Sequence, residues 1–248
     1  MPPPRLPPEL EYDIFILAFY NDSKNEKNLA LVAKRVFDWL IPHRYHIVIL
    51  SDSDEGSYPI GFNEATYQRY GHHVRHLLIG VLRLGVYLHL FPNVVNLAFW
   101  VDYKPIHLPS LLQLPLTRLS ADPSPALFQV FSKLTHLDIL STASDDEISP
   151  VLYLPNLTHL CVLRSISQSF LEMFLDKERC PELRVAIVWS FGSGSAVLYE
   201  HQSLEVDDNR VVMVRCEPRH DWQIGARGGF DMWKFAEGVI ASRNVLSA

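Results

Sequence analysis

The chain has 248 residues, 48% of them hydrophobic and 20% charged, with a formal net charge of −6. This is the composition of a globular protein long enough to bury a large core, and the acidic balance argues against nucleic acid as the main partner. Three cysteines, Cys161, Cys180 and Cys216, sit at wide spacings without a CxxC pair, which points to a reducing compartment and no disulfide framework.

The opening, Met1-Pro2-Pro3-Pro4-Arg5-Leu6-Pro7-Pro8, lacks the apolar run of a signal peptide, so cytoplasm or nucleus is the expected location. The most apolar stretch, Leu77 to Phe91, contains Arg83 and His89 and is too short to span a bilayer. Residues 6 to about 42 read as helical, with Leu10, Ile14 and Leu17 at i, i+4 and i+7 and Phe15 beside them. The polar stretch from Asn21 to Asn28 interrupts the pattern. Leu29, Val32, Val36 and Leu40 resume it, and Pro42 marks the expected stop. These apolar residues exceed what a two-helix hairpin can bury against itself. One face is expected to pack on the next segment and another to remain for a partner.

From residue 44 the helical period gives way to a repeated phrase. Arg44-Tyr45-His46-Ile47-Val48-Ile49 returns as Val74-Arg75-His76-Leu77-Leu78-Ile79 and as Val94-Val95-Asn96-Leu97-Ala98-Phe99. It comes again as Leu116-Thr117-Arg118-Leu119-Ser120-Ala121, Leu134-Thr135-His136-Leu137-Asp138-Ile139 and Leu157-Thr158-His159-Leu160-Cys161-Val162. The third positions, His46, His76, Asn96, Arg118, His136 and His159, are 30, 20, 22, 18 and 23 residues apart, near the roughly 20–29 of leucine-rich repeats. A degenerate copy at Leu183-Arg184-Val185-Ala186-Ile187-Val188 and a further strand from Arg210 to Arg215 follow.

About seven short parallel strands in chain order are expected, with Leu137, Ile139, Leu160 and Val162 inside and the histidine column outside. Each unit must stack on its neighbours to bury its apolar face. The expected fold is therefore α/β. A helical module over residues 1–42 precedes a leucine-rich-repeat-like solenoid over 43–248, and a helix from Asp231 to Ser242 closes its exposed end.

Three segments carry a family resemblance: Leu6-Pro7-Pro8-Glu9-Leu10, Ile14-Phe15, and Leu29-Ala30-Leu31-Val32-Ala33-Lys34-Arg35 followed by Trp39. The first zone resembles an F-box, and the whole chain looks like the F-box and leucine-rich-repeat proteins of fungi. The resemblance implies a three-helix module that docks onto Skp1 within a cullin–RING ubiquitin ligase, through Leu6, Pro7, Glu9, Leu10, Ile14, Phe15 and Val32. The repeats would hold a protein substrate. Ala33 stands where the family usually has Cys, and Val36 where an aromatic usually follows the basic pair. The ending, Trp222-Gln223-Ile224-Gly225-Ala226-Arg227-Gly228-Gly229 with Trp233, also resembles the C-termini of these proteins.

Eleven histidines invite a metal reading, but His72-His73-Val74-Arg75-His76 lacks the Glu and third ligand of a zinc helix. Gly192-Ser193-Gly194 lacks the Lys-Ser/Thr of a phosphate loop. Asp52-Ser53-Asp54-Glu55, Asp145-Asp146-Glu147 and Asp207-Asp208 read as solvated surface. No catalytic residue, metal or cofactor is expected, and neither nucleic acid nor membrane is an expected partner. One position past each phrase come Gly80, Trp100, Asp122, Leu140, Leu163 and Trp189. If open, Trp100, His136, Asp138, Leu140, His159, Leu163 and Trp189 form a partner-binding face. Cover by the 199–209 segment and the final helix is the favoured alternative.

The expected role is a substrate-recognition adaptor of an SCF-type ubiquitin ligase. A repeat scaffold whose F-box-like region does not bind Skp1 is the second reading, and a metal-dependent hydrolase the least favoured.

Overall fold

The structure, a computed structural model, describes residues 6–21, 26–50, 63–80, 87–100, 107–121, 133–140, 154–163, 168–191, 206 and 208–246. Asp122, the two acidic runs at 52–55 and 145–147 and the 192–194 loop lie outside them. Eight strands make one sheet: β1 (Ile47–Leu50), β2 (His76–Ile79), β3 (Asn96–Phe99), β4 (Arg118–Ala121), β5 (His136–Ile139), β6 (His159–Leu163), β7 (Val185–Phe191) and β8 (Val211–Cys216). They follow one another in chain order and every pairing is parallel.

The repeated phrase explains the pairing. Its second-position carbonyl accepts two N–H groups from the next strand: Thr117 O takes those of Thr135 and His136, and Thr135 O those of Thr158 and His159. Where that position is threonine, the hydroxyl adds a bond to the preceding carbonyl, Thr135 Oγ1 to Thr117 O at 3.1 Å and Thr158 Oγ1 to Thr135 O at 3.0 Å. Positions one, four and six then point inward. Leu134, Leu137 and Ile139 stack on Leu157, Leu160 and Val162 in a single buried cluster running the length of the sheet. The third-position residues face the other way, as the alternation of a strand requires.

Helices flank the sheet. At the N-terminal side lie α1 (Pro8–Asn21), α2 (Glu26–Val32) and α3 (Lys34–Arg44). The second periodic segment is thus two helices, because Ala33 adopts extended backbone (φ −160°, ψ 154°) between them. Helix α3 runs past Pro42 to Arg44, where the Tyr45 N–H closes on Ile41 O. Ile41 and Tyr45 join the core.

This extension moves the first strand. Ile47, not His46, pairs with His76, so His46 stands one residue outside the column assigned to it. Among the connecting helices are α4 (Glu64–Tyr70), α5 (Leu108–Leu111) and α6 (Gln168–Leu175). Asn63 caps α4 by accepting the Thr66 N–H, and α6 buries Phe170, Leu171 and Phe174. Asp208, expected to be solvated, instead clamps Arg210, which also donates to Leu183 O and Leu175 O.

Two C-terminal helices, α7 (Pro218–Ala226) and α8 (Met232–Leu246), complete the chain. The α8 helix lies against the outer face of the last strands, and its Arg243 guanidinium donates to Val211 O of β8 at 2.7 Å. Residues Cys161, Ile187, Trp189, Val212 and Val214 hold it there by burying apolar surface against Met232 and Ala236. No helix among the described residues is long and apolar enough to cross a membrane.

Leu160 has no exposed surface and sits mid-cluster. Leu160→Ala is expected to lower unfolding stability by about 2–5 kcal/mol in urea titration, through the cavity it leaves. A loss below about 1 kcal/mol would show that the array does not depend on this column.

Candidate functional site

The outer sheet face changes chemistry along its length. At the first strands Ile49, Leu78 and Ala98 make a small apolar floor on which Trp100 and Trp222 pack. Towards the middle the floor is polar. The Trp100 indole N–H donates to Ser120 Oγ at 2.9 Å, and the Ser120 hydroxyl donates to Asp138 Oδ2 at 2.8 Å. Among the described residues Asp138 Oδ1 has no nitrogen or oxygen partner. Beyond it His136 and His159 stack face to face, with ring centroids 4.1 Å apart and planes 3° from parallel. Trp233 of α8 stands edge-on to both, at 5.3 and 5.6 Å.

The expected partner face is therefore lined up on one side of the sheet, and the chain's own α7 and α8 lie over it. Trp189 is 2% exposed, Asp138 and His159 are buried, and Trp100, His136, Leu140 and Leu163 are half-buried. Polar bonds fasten the cover, among them the Trp222 indole N–H donating to Asn96 Oδ1 at 3.2 Å and His159 Nε2 lying 3.1 Å from Glu237 Oε1. The Gly-rich ending works in this cover. Gly228 takes the left-handed turn after α7 (φ +75°), a conformation that favours glycine. A Cβ on Gly225 would meet Asp231 Oδ2 at 2.4 Å.

The sequence reading missed α7 and its contributions to this face, Asp221 and Trp222. Glu217-Pro218 was the available signal, an acceptor followed by proline at a first helical position. The Glu217 carboxylate does accept the Arg219 and His220 N–H groups.

Beneath the cover lies a cavity of about 40 Å³, bounded in part by Asp138, Asp221 and Asp231. Burial, and then the neighbouring Asp231 carboxylate, raises the Asp221 carboxyl to about 7. Burial raises Asp138 to about 6, with the Ser120 hydroxyl and Cys161 thiol opposing. Burial, then Arg118 and His159, pushes His136 down to about 2. Among the described residues no group of three or more His, Cys, Asp or Glu is placed to hold a metal ion. His72 and His73 lie in a short 3-10 turn and His76 in β2, so they share no helix face.

The second surface is on the N-terminal helices. No residue of α1 is buried. Its polar and aromatic side turns to α3, where Tyr12 and Tyr20 hydroxyls lie 3.0 and 2.9 Å from the two His43 ring nitrogens and Glu11 pairs with Arg35. Its aliphatic side is left outside: Leu6 is 56% exposed, Leu10 and Ile14 51% and Leu17 63%, with Val32 of α2 at 61%. Pro7 and Glu9 are exposed as well, and Phe15 is half-buried. Leu6, Pro8, Glu11, Ile14, Phe15 and Arg35 line a groove of about 670 Å³.

Comparison of the chain with protein-family models, curated proteins and solved structures finds no match.

The buried carboxyl sets a pH test. Asp138 holds its proton more tightly folded than unfolded, so its contribution is fully present below the ordinary carboxyl value and is lost as pH rises through about 6. Asp138→Asn keeps an acceptor for Ser120 and removes the charge. The variant is expected to be more stable than the parent by about 3 kcal/mol at pH 8, shrinking towards parity near pH 4. Urea titrations of both chains across that range check it; a difference independent of pH would contradict the assignment.

Proposed function

We propose that this chain is a protein-interaction adaptor. Its in-order parallel strands act as a leucine-rich-repeat-like solenoid, and its three N-terminal helices act as an F-box-like module that docks onto Skp1. In that role it brings a protein substrate to an SCF-type ubiquitin ligase in the cytoplasm or nucleus. The reading assigns it binding and no chemistry of its own.

The observation that carries the proposal is the aliphatic side of α1 and α2. Leu6, Leu10, Ile14, Leu17 and Val32 are each more than half exposed although α1 has another side bonded to α3. Exposed apolar side chains grouped in this way mark an interaction site more often than an accident of packing. Leu6-Pro7-Pro8-Glu9-Leu10 is also the segment that resembles the family's docking motif. A repeat scaffold without Skp1 binding is the second reading, favoured by Ala33, which stands at the α2–α3 break where the family usually has Cys.

Purified full-length chain is expected to capture Skp1 at micromolar concentration. Leu10→Asp with Ile14→Asp is expected to weaken capture by at least about tenfold, because charge is placed in an apolar contact. Both positions are 51% exposed, so the melting temperature should change little. Parent chain that does not bind Skp1 at that concentration overturns the adaptor reading and leaves the scaffold.

A further inference from the structure

A second groove, of about 950 Å³, opens between the N-terminal helices, the starts of the first four strands and the end of α7. Arg44, Arg118 and Arg227 line it, and among the described residues no aspartate or glutamate does. In a chain of net charge −6 that segregation is unexpected. Arg44 ends α3 and Arg227 follows α7, where a cation complements the carbonyl end of a helix. That accounts for two of the three.

Arg118 has no such explanation. It is half-buried in the middle of the sheet's outer face, in the column between Asn96 and His136. Among the described residues its side chain makes no ion pair and no hydrogen bond. It also borders the cavity that holds Asp138, Asp221 and Asp231 but pairs with none of them, and a half-buried unpaired guanidinium is costly unless an anion meets it. The histidines around it do not supply one: burial lowers His76 to about 4, with Arg118 among the lesser causes.

We infer that this groove binds an acidic peptide segment of a partner protein, with Arg118 at its floor and Arg227 at its rim as the anion-binding residues. Guanidinium groups present paired donors that match carboxylate and phosphate geometry. The walls are mixed, not uniformly basic: Phe19, Tyr20, Ile47 and Val95 place apolar surface beside the cations. That combination suits a peptide carrying clustered acids among apolar residues. It does not suit a nucleic acid, which needs an extended basic stripe. The groove lies apart from the aliphatic side of α1, so the inference does not rest on Skp1 docking.

The test uses the full-length chain alone and twelve-residue peptides carrying a neutral dye, followed by fluorescence anisotropy. The set is a Glu/Asp-rich sequence, its Gln/Asn counterpart, a phosphoserine version and a single-stranded oligonucleotide. The acidic peptide is expected to bind at least about tenfold more tightly than the neutral one, with affinity falling as salt rises. Arg118→Gln with Arg227→Gln is expected to remove at least about tenfold of that affinity. Arg227→Gln alone, at an exposed position, guards against a folding defect and should weaken binding in the same direction. Tighter binding of the phosphoserine peptide through the same arginines identifies phosphate as the anion and upholds the site. Equal binding of acidic and neutral peptides, affinity that survives the double substitution, preference for the oligonucleotide, or no binding at millimolar peptide would each overturn it.

Discussion

The register between successive parallel strands holds the rest of the molecule in place. From β2 to β7 each strand begins where a carbonyl of the preceding strand accepts two N–H groups, so Thr117, Thr135 and Thr158 act as fixed points along the sheet. Once they are set, the leucine at position four and the aliphatic at position six must stack on their counterparts, and Leu119, Leu137 and Leu160 become one continuous column. No strand of four or five residues buries that surface alone. Slipping one strand by a single residue would send its leucines to the outer face and its histidine or arginine into the core.

The same alternation creates a difficulty on the outer face. Positions three and five there hold Asn96, Arg118, Ser120, His136, Asp138 and His159, and α7 and α8 lie over much of this row. Burying such groups is tolerable only when they are bonded or neutral. Ser120 bridges Trp100 and Asp138, the two histidines stack against Trp233, and burial raises the Asp138 and Asp221 carboxyls above the ordinary carboxyl range. Charge is thereby sorted into two compartments. Carboxyls gather in the small cavity beneath the helices, and arginines line the larger groove beside it, with Arg118 bordering both.

This division bears on how an adaptor of this shape would work. The outer face carries the tryptophans that are attractive as partner anchors, yet its deepest one, Trp189, is committed to packing under α8. Surfaces left for other molecules lie to the N-terminal side: the aliphatic flank of α1 and α2, and the arginine-lined groove. They face different chemistries, one apolar and one cationic, and under the proposed reading each suits a different kind of partner.

Much of the sheet was legible in the sequence alone. The phrase from His76 to Val162 marks four of the strands to the residue and a fifth, β6, to within one, because a period of two with leucine and isoleucine inward leaves one consistent register. The aliphatic stripe Leu10, Ile14 and Leu17 was visible for the same reason, as a helical period with no matching partner. What covers the outer face was not legible. His159 meets Glu237 across 78 residues and Asn96 meets Trp222 across 126, and no local pattern encodes such distances. The start of β1 depended on how far α3 runs beyond Pro42, and the break at Ala33 on packing around it. The Arg118 groove arises only when the ends of α3 and α7 converge on the middle strands. Periodicity determines which side of an element faces inward; which element comes to lie against the other side is decided by the folded chain as a whole.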